Sequence, residues 1–553
     1  MIAERRLRAL LRSAGAEAGY DVVGVAASLA VGAWVWLGHG VGATADWIPG
    51  DGPWWARPGD YLLSGPDAGA WASNATALSL GRTGDLDPHR LPIYPMLTAL
   101  VMHVQPDVAL AGHLVNHLCL LALGPVVYLL GTRWMQRGLA FGAAVVASTW
   151  IVGFAAAQRY GVDPLVMLAV PMALLAAEVG ARQPWLAPVG GLVAGVAGAS
   201  HLTTVGLPFA ALLLCLLRGE KGKRWPGALA FLVGAVAGIG LVFLNYPLLP
   251  SEMVASTLAE GVAPVANNAG RAGTLASPAV AATAVVGGLP AALDEVMRFV
   301  ATNTRPTWLP WVVALVVPWL GLFGPALVGR WTWRRVRIGL AEGLSVGVPI
   351  VAALAPLLAF AAARSPERYT ANFFAVVVLV VFRGYGLVYA LATVRLDGRW
   401  RQVGAVALGL AVAGGLWRPD LLALEVQKAP SSDDIAVRQL GSLIRGHFAS
   451  GGGASCTLRE ADAYAGRAFC PYSQGAAFAA SPEPIRAQLT AECGGDGDIP
   501  YVVLDGSGVH DGSDAARHAM DAWVVDHGNL VATLPLPGFT ARLYGVRRSQ
   551  PTP

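Results

Sequence analysis

Residues 185–217 decide the fold, and they read WLAPVGGLVAGVAGASHLTTVGLPFAALLLCLL. Almost every position is apolar or small, with one polar interruption around Ser200 and His201. The stretch can form two short membrane spans, or it can form one long broken helix. Two spans predict eleven membrane crossings in the whole chain. One helix predicts ten crossings and reverses the topology of everything that follows.

The composition indicates an integral membrane protein. Of the 553 residues, 55% are hydrophobic and only 13% are charged, whereas soluble domains carry about 25% charged residues. A spanning helix needs about 20 mostly apolar residues. The runs that approach or reach this length are 20–38, 108–131, 138–156, 164–180, 185–200, 202–217, 225–247, 308–329, 341–362, 369–393 and 402–417.

The positions of the basic residues favour eleven spans. Lys and Arg concentrate in short cytoplasmic loops. Five clusters occur here: Arg5, Arg6, Arg8 and Arg12; Arg133 and Arg137; Arg218, Lys221, Lys223 and Arg224; Arg330, Arg334, Arg335 and Arg337; and Arg395, Arg399 and Arg401. Eleven spans put all five on one side, while ten put the first two in conflict with the last three. We therefore predict a multi-pass protein of the plasma (inner) membrane, with a cytoplasmic N-terminus and an extracytoplasmic C-terminus.

This topology divides the chain into a transmembrane domain, residues 1–417, and a small extracytoplasmic α/β domain, residues 418–553. The transmembrane domain carries two large outer loops, 39–107 and 248–306. In the tail, apolar residues at helical spacing predict an amphipathic helix at Ser431–Phe448. The other elements predicted there are strands at Tyr501–Leu504 and Thr540–Val546, with a helix at Ala515–Val525 between them.

The tail also contains Cys456, Cys470 and Cys493. Because extracytoplasmic compartments permit disulfides, we predict one bridge, with Cys456–Cys470 favoured over the pairings to Cys493. Three unpaired thiols are the alternative. A zinc site is a weaker one, since neither CxxC nor HxxxH spacing occurs.

The first outer loop holds the first candidate site residue. Residues 67–80 have helical spacing, with Ala68, Trp71, Ala75 and Leu78 on one face, and Asp67 begins the helix. Asp is a favoured helix cap because its carboxylate accepts hydrogen bonds from free backbone N–H groups. A carboxylate at the membrane–water boundary can also be a general base that accepts the proton of an attacking hydroxyl. The two interpretations are compatible.

The layout resembles the GT-C superfamily of membrane glycosyltransferases, which includes the protein O-mannosyltransferases and the aminoarabinose transferases of lipid A. The matching features are an acidic residue before an aromatic one, here Asp67 and Trp71, and the element Arg90-Leu-Pro-Ile-Tyr94-Pro that leads to the second span. The resemblance covers the hydropathy layout of the whole chain. Many relatives have a second carboxylate directly after the first, and this chain has Ala68 there. A metal site built from a carboxylate pair is therefore not implied, although a divalent metal is left as an alternative.

The resemblance implies an inverting glycosyltransferase that uses a polyprenyl-phosphate-linked sugar donor and a lipid, glycan or protein acceptor of the cell envelope. Asp67 would be the catalytic base, and Asp163, Arg90 and Tyr94 would orient acceptor or donor. The implied ligands of the lipid phosphate are Arg368, Arg159 and Tyr369. A guanidinium suits this role because it holds phosphate oxygens in bidentate fashion.

Each of these residues also has a structural interpretation. Asp163 can cap a helix that continues with Pro164. Arg368 can be a solvated charge, with Tyr369 as an anchor at the lipid headgroups. The same interpretation is favoured for Arg364.

Other polar residues favour structural roles. His113, Asn116 and His117 lie on one helical face within a span and favour interhelical hydrogen bonds, as does His201. The Asn74-Ala-Thr76 sequon is interpreted as incidental.

Two other classes compete with the transferase. A transporter or lipid flippase predicts inverted repeats and charges near mid-membrane. The sequence shows no such repeat, and its spans are nearly free of charge except near their ends, as at Glu178. The third class is a non-catalytic membrane assembly protein that acts through its outer domain. No nucleic-acid-binding motif occurs.

Overall fold

The structure is a computed structural model. It describes residues 19, 21–34, 63, 68–82, 86–87, 90–149, 160–220, 222–246, 343–350, 352, 374–393, 398–416, 432–448, 453–454, 459–469, 498–505, 515–536 and 539–547. The predicted span 308–329 lies outside these residues. So do Cys456, Cys470 and Cys493, whereas Cys119 and Cys215 are free and buried.

The described part of the chain is mostly helical. Its first helices are α1 (Asp21–Trp34), α2 (Ala68–Ser79), α3 (Ile93–Met102), α4 (Val108–Trp134), α5 (Arg137–Thr149), α6 (Asp163–Arg182), α7 (Ala187–Gly198), α8 (Leu207–Arg218) and α9 (Arg224–Leu244). Those that follow are α10 (Phe374–Ala392), α11 (Gly398–Leu416), α12 (Ser432–His447), α13 (Arg459–Tyr464) and α14 (Ala515–His527). Within this part of the chain, three helices are long and apolar enough to cross a membrane, namely α4, α6 and α9.

A buried carboxylate joins the C-terminal ends of three helices. Glu178 of α6 is fully buried and accepts a hydrogen bond of 2.8 Å from Trp134 Nε1, at the end of α4. Its carboxylate also pairs with Arg218 Nε of α8 at 3.1 Å and with Arg182 Nε at 3.6 Å. The N-terminal ends of α4 and α6 also lie together, because Gly112 near the start of α4 packs against Tyr160 just before α6. The two ends are called the Glu178 end and the Asp163 end below.

Helices α7 and α8 form a hairpin. Gly190 of α7 packs against the Ala176 carbonyl of α6, and Gly180 packs against Ala187, so α7 runs antiparallel to α6. Helix α8 returns to the Glu178 end, where Arg218 meets Glu178. The chain therefore reverses between these helices, and the alternative of one long broken helix is wrong. Each helix has 12 residues and is about 18 Å long, less than a hydrocarbon layer of about 30 Å.

Side chains in the turn of this hairpin form hydrogen bonds with the backbone of the turn. The Thr204 hydroxyl accepts a hydrogen bond of 3.0 Å from the His201 N–H and donates one of 2.6 Å to the His201 carbonyl. The His201 ring lies 2.9 Å from the Thr203 hydroxyl and accepts from the Thr203 N–H at 3.2 Å. These contacts of His201 lie within the turn. The turn is buried in protein, so water cannot bond its backbone groups, and the threonine hydroxyls provide these hydrogen bonds instead.

Glycines allow the helices to approach closely. Gly191 and Gly195 of α7 lie directly against the backbone of α9 at Phe231 and Ala235. Gly142 of α5 meets the Gly409 backbone of α11 in the same way. Small residues at such positions allow dispersion contacts between helices in lipid, where hydrophobic burial between helices supplies no driving force.

The described tail contains the helices and strands that the sequence predicts, together with three further strands and one further helix. Strands β3 (Ile499–Asp505), β4 (Asn529–Leu536) and β5 (Phe539–Val546) form an antiparallel sheet in the order β3-β5-β4. A short parallel pair joins β1 (Gly453–Ala454) to β2 (Ala468–Phe469). The predicted elements correspond to β3, α14, β5 and α12, whereas the sequence analysis missed β1, β2, β4 and α13. Leu440 and Ile444 of α12 pack in one core with Val502 and Leu543 of the sheet.

We expect Gly191→Ala to destabilise the protein, because a Cβ at this position would overlap the Phe231 carbonyl oxygen. Overpacking of this kind costs about 1–3 kcal/mol. The matched control is Gly240→Ala in α9, where no atom lies within 4 Å of an added Cβ. Thermal unfolding in detergent should show a lower Tm for Gly191→Ala alone. Equal Tm values for both variants would contradict the close packing of α7 on α9.

We also expect Glu178→Gln to destabilise the bundle, because it removes the charge that neutralises Arg218, whose side chain is only 18% exposed. Breaking a buried ion pair costs about 3–5 kcal/mol. Glu220→Gln is the control, since Glu220 pairs with Lys223 at the surface, where such pairs contribute about 0–1 kcal/mol. Chemical denaturation in mixed micelles should separate the two variants, and a Glu178→Gln protein as stable as Glu220→Gln would refute the assignment.

Candidate functional site

Three buried aromatic side chains connect the first outer loop to the second. Trp71 of α2 and Tyr94 of α3 meet edge to face, with 5.7 Å between ring centroids. Tyr94 meets Tyr160, just before α6, in the same geometry at 5.7 Å. All three side chains are almost fully buried. This aromatic series lies at the Asp163 end and fixes the two loops against each other.

Helix α4 packs against the aromatic series. Gly112 lies directly against the Tyr160 ring, where any side chain would overlap it. The Tyr94 hydroxyl donates to the Gly112 carbonyl at 3.3 Å. The predicted polar face of α4 continues along the helix towards the Glu178 end. The centroid of the His113 ring lies 6.0 Å from that of Tyr160 and 6.5 Å from that of His117. His113, Asn116 and His117 are all buried inside the bundle, as their structural interpretation requires.

Arg90 places a positive charge on the series. Its guanidinium carbon lies 5.5 Å from the centroid of the Trp71 ring, within the range of a cation–π interaction. Arg90 is half-buried, and Tyr94 follows it four positions later. The structure thus brings together two of the predicted orienting residues, Arg90 and Tyr94, beside the helix that follows Asp67.

The two tyrosines of the series are unsuited to accept a proton. Burial is the main cause that raises the pKa of Tyr94, and Tyr160 adds to this. Burial likewise raises the pKa of Tyr160, with Asp107 and Tyr464 adding to it. Both hydroxyls therefore remain protonated near neutral pH and can only donate or accept hydrogen bonds.

Asp163 is one of the described carboxylates near the series. It is the first residue of α6, lies three positions after Tyr160 and is partly exposed. The capping position is occupied by Val162, and no side chain caps the helix. The capping interpretation of Asp163 is therefore wrong. The carboxylate lies inside the first turn, where the free N–H groups of the helix favour a negative charge.

The remaining predicted site residues, Asp67, Arg159, Arg368 and Tyr369, lie outside the described residues. Two of them adjoin the site in sequence. Asp67 directly precedes α2, which is buried on all sides rather than on the one predicted face, and Arg159 directly precedes Tyr160.

Among the described residues, no group of three or more His, Cys, Asp or Glu side chains occurs that could hold a metal ion. Ala68, which stands where many relatives have a second carboxylate, begins α2 and is fully buried.

The sequence analysis missed the contacts that hold α2 in place. Asn74 is fully buried, and its side chain accepts from the Asp87 N–H at 2.7 Å and donates to the Asp87 carbonyl at 3.0 Å. It also bonds the Tyr246 hydroxyl at 3.3 Å. These bonds give Asn74 a structural role and confirm that its glycosylation sequon is incidental. Asp87 and Tyr246 are far away in sequence, so no local pattern signals the cluster.

The whole chain resembles solved membrane glycosyltransferases. The Archaeoglobus fulgidus oligosaccharyltransferase tethered with an acceptor peptide is 12% identical, with a TM-score of 0.52, over 96% of this chain and 74% of that one. The same enzyme in complex with zinc and sulfate is 14% identical, with a TM-score of 0.50 over 94% and 72%. ArnT from Cupriavidus metallidurans bound to undecaprenyl phosphate is 13% identical, with a TM-score of 0.49 over 95% and 98%.

Comparisons of sequence alone give no such likeness. No protein-family model matches the chain, and no curated protein matches it. The structural likeness extends over nearly the whole of this chain. The chain therefore has the fold of the GT-C membrane glycosyltransferases, as its resemblance in sequence predicts.

Proposed function

We propose that the protein is an inverting membrane glycosyltransferase that moves a sugar from a polyprenyl-phosphate donor to an acceptor hydroxyl. The observation that carries the proposal is the aromatic series. It packs the loop that contains Asp67 against the loop that contains Arg159 and Asp163. Residues 71, 94 and 160, far apart in sequence, thereby become one site at one end of a GT-C fold.

The distribution of charge supports an extracytoplasmic site. Arg133, Arg182 and Arg218 lie at the Glu178 end, together with the start of α9 at Arg224. Because basic residues mark the cytoplasmic side, the Asp163 end faces outward. We therefore propose a cytoplasmic N-terminus and an extracytoplasmic tail at residues 418–553, in a protein that crosses the inner membrane eleven times.

Asp67 is the proposed general base. It accepts the proton of the acceptor hydroxyl as the hydroxyl oxygen attacks the anomeric carbon. The bond from that carbon to the phosphate oxygen breaks, and its electron pair leaves with the polyprenyl phosphate. A single displacement from the opposite face inverts the anomeric configuration. The buried tyrosines cannot perform this step, because their raised pKa values keep them protonated.

The cations hold the leaving group. Arg368 and Arg159 bind the phosphate and stabilise the charge that builds on it during transfer, while Tyr369 anchors beside the lipid headgroups. Asp163, Arg90 and Tyr94 orient the sugar or the acceptor at the end of the aromatic series. The lipid of the archaeal oligosaccharyltransferase in complex with an inhibitory peptide is a dolichol phosphate, and ArnT was solved with undecaprenyl phosphate. A polyprenyl-phosphate donor is consistent with both.

Asp67→Asn should abolish transfer without affecting folding, because the amide keeps the shape of the side chain but cannot accept the proton. The assay is release of polyprenyl phosphate from a panel of polyprenyl-phosphate-linked hexoses and pentoses. Glu220→Gln, an equal loss of one carboxylate at the Glu178 end, is the control and should retain full activity. Full activity of Asp67→Asn in the presence of acceptor would refute the assignment.

Arg368→Gln should weaken the binding of undecaprenyl phosphate by about tenfold or more, since a hydrogen bond to a charged group contributes about 1.5–3 kcal/mol. Arg364→Gln removes a neighbouring guanidinium that we interpret as a solvated charge. The affinity of this variant for undecaprenyl phosphate should therefore stay unchanged. Native mass spectrometry of the purified variants with added undecaprenyl phosphate provides the comparison. Equal losses in both variants would indicate a general charge effect and not a phosphate ligand.

A further inference from the structure

The C-terminal tail contacts the membrane helices through a mostly buried ion pair. Arg438 of α12 pairs with Asp107 at 3.0 Å, and the two side chains are only 16% and 12% exposed. Asp107 also caps α4, because its carboxylate accepts from the Leu110 N–H at 3.0 Å. The tail is thereby fixed to the N-terminal end of α4, close to the aromatic series.

The same arginine lies over Tyr464, the last residue of α13. Its guanidinium carbon lies 5.1 Å from the centroid of the Tyr464 ring. Arg445 donates to the Tyr464 carbonyl, and Gly441 lets α12 lie directly against the Tyr464 side chain. Tyr464 is only 4% exposed. Its ring is therefore held from several sides at once.

The Tyr464 hydroxyl reaches the first outer loop. It accepts a hydrogen bond from the backbone N–H of Leu63, which is buried in the same core as Trp71 and Tyr94. Leu63 precedes Asp67 by four positions. Helix α13 packs in addition against α2, which begins directly after Asp67. The tail thus contacts the chain on both sides of the proposed base.

We propose that Tyr464 and Arg438 are positioning residues, which hold the first outer loop at Leu63 so that Asp67 is presented to the acceptor. The proposal rests on the proposed function above. Tyr464 acts through the Leu63 N–H and does not contact the reacting groups. Arg438 fixes Tyr464 relative to α4 through Asp107. A misplacement of about 1 Å can cost a factor of about 100 in rate, so a single hydrogen bond at this point is enough to affect catalysis.

Hydrogen–deuterium exchange of the full-length protein tests the contact itself. Tyr464→Phe keeps the ring beneath Arg438 and removes only the hydroxyl. Peptides that cover residues 59–67 should exchange about fivefold faster or more in this variant, because the Leu63 N–H loses its acceptor. Tyr501→Phe is the matched control, since the Tyr501 hydroxyl is also buried and bonds Asp521 at 2.8 Å in the same tail. Unchanged exchange of this segment in Tyr464→Phe overturns the proposal.

Steady-state kinetics on the donor panel test the consequence for catalysis. Tyr464→Phe should lower kcat by about 10–100-fold with little change in KM for the donor, because donor binding does not involve this hydroxyl. Arg438→Gln should act in the same direction, whereas Tyr501→Phe should retain the wild-type kcat. Equal losses in Tyr464→Phe and Tyr501→Phe would indicate a general structural effect and contradict positioning.

The two proposals fail in different ways. If the wild-type protein transfers no sugar from any donor, the proposed function is wrong, and the exchange experiment still decides whether the tail holds the loop. If the wild type transfers sugar and Asp67→Asn does not, but Tyr464→Phe keeps full kcat, only the positioning role is wrong.

Discussion

The bundle depends on the requirement that backbone N–H and C=O groups within the hydrocarbon layer be satisfied without water. Helices meet this requirement along their length, so the critical points are the places where the chain turns. At the α7–α8 hairpin, the hydroxyls of Thr203 and Thr204 and the ring of His201 make the necessary bonds. The turn is also enclosed, with Ser200, Thr203 and Thr204 almost fully buried. Because the turn is stable there, the chain returns to the Glu178 end and α9 starts on the same side as α6 ended.

The two ends of the bundle are stabilised by different interactions. At one end, Glu178 bonds Trp134 of α4 and pairs with Arg182 of α6 and Arg218 of α8. At the other end, edge-to-face contacts of Trp71, Tyr94 and Tyr160 pack the two outer loops together. The Tyr94 hydroxyl adds a hydrogen bond to a backbone carbonyl of α4. A site of this second kind leaves its charged groups, Arg90 and Asp163, partly exposed at the border.

The sequence predicts the helices because their signal is local. Long apolar runs and basic clusters identify α1, α4–α9, α10 and α11, and helical spacing identifies α2 and α12. Of the aromatic series, the sequence analysis singled out Trp71 and Tyr94 but not Tyr160. The capping interpretation of Asp163 relied on Pro164 after it, a residue suited to a first helical turn, yet the cap of this helix is Val162. The Asn74–Asp87 bonds and the Asp107–Arg438 pair could not be predicted, because a single sequence contains no signal for contacts between distant segments.

The contact of the tail with the first outer loop has a consequence for biosynthesis. The Leu63–Tyr464 bond joins residues 401 positions apart, and the Asp107–Arg438 pair joins residues 331 positions apart. During translation, the first outer loop is synthesised long before α12 and α13. Leu63 and Asp107 therefore meet their partners in the tail only after α1–α11 have been made. A chain that stops before α12 lacks both contacts.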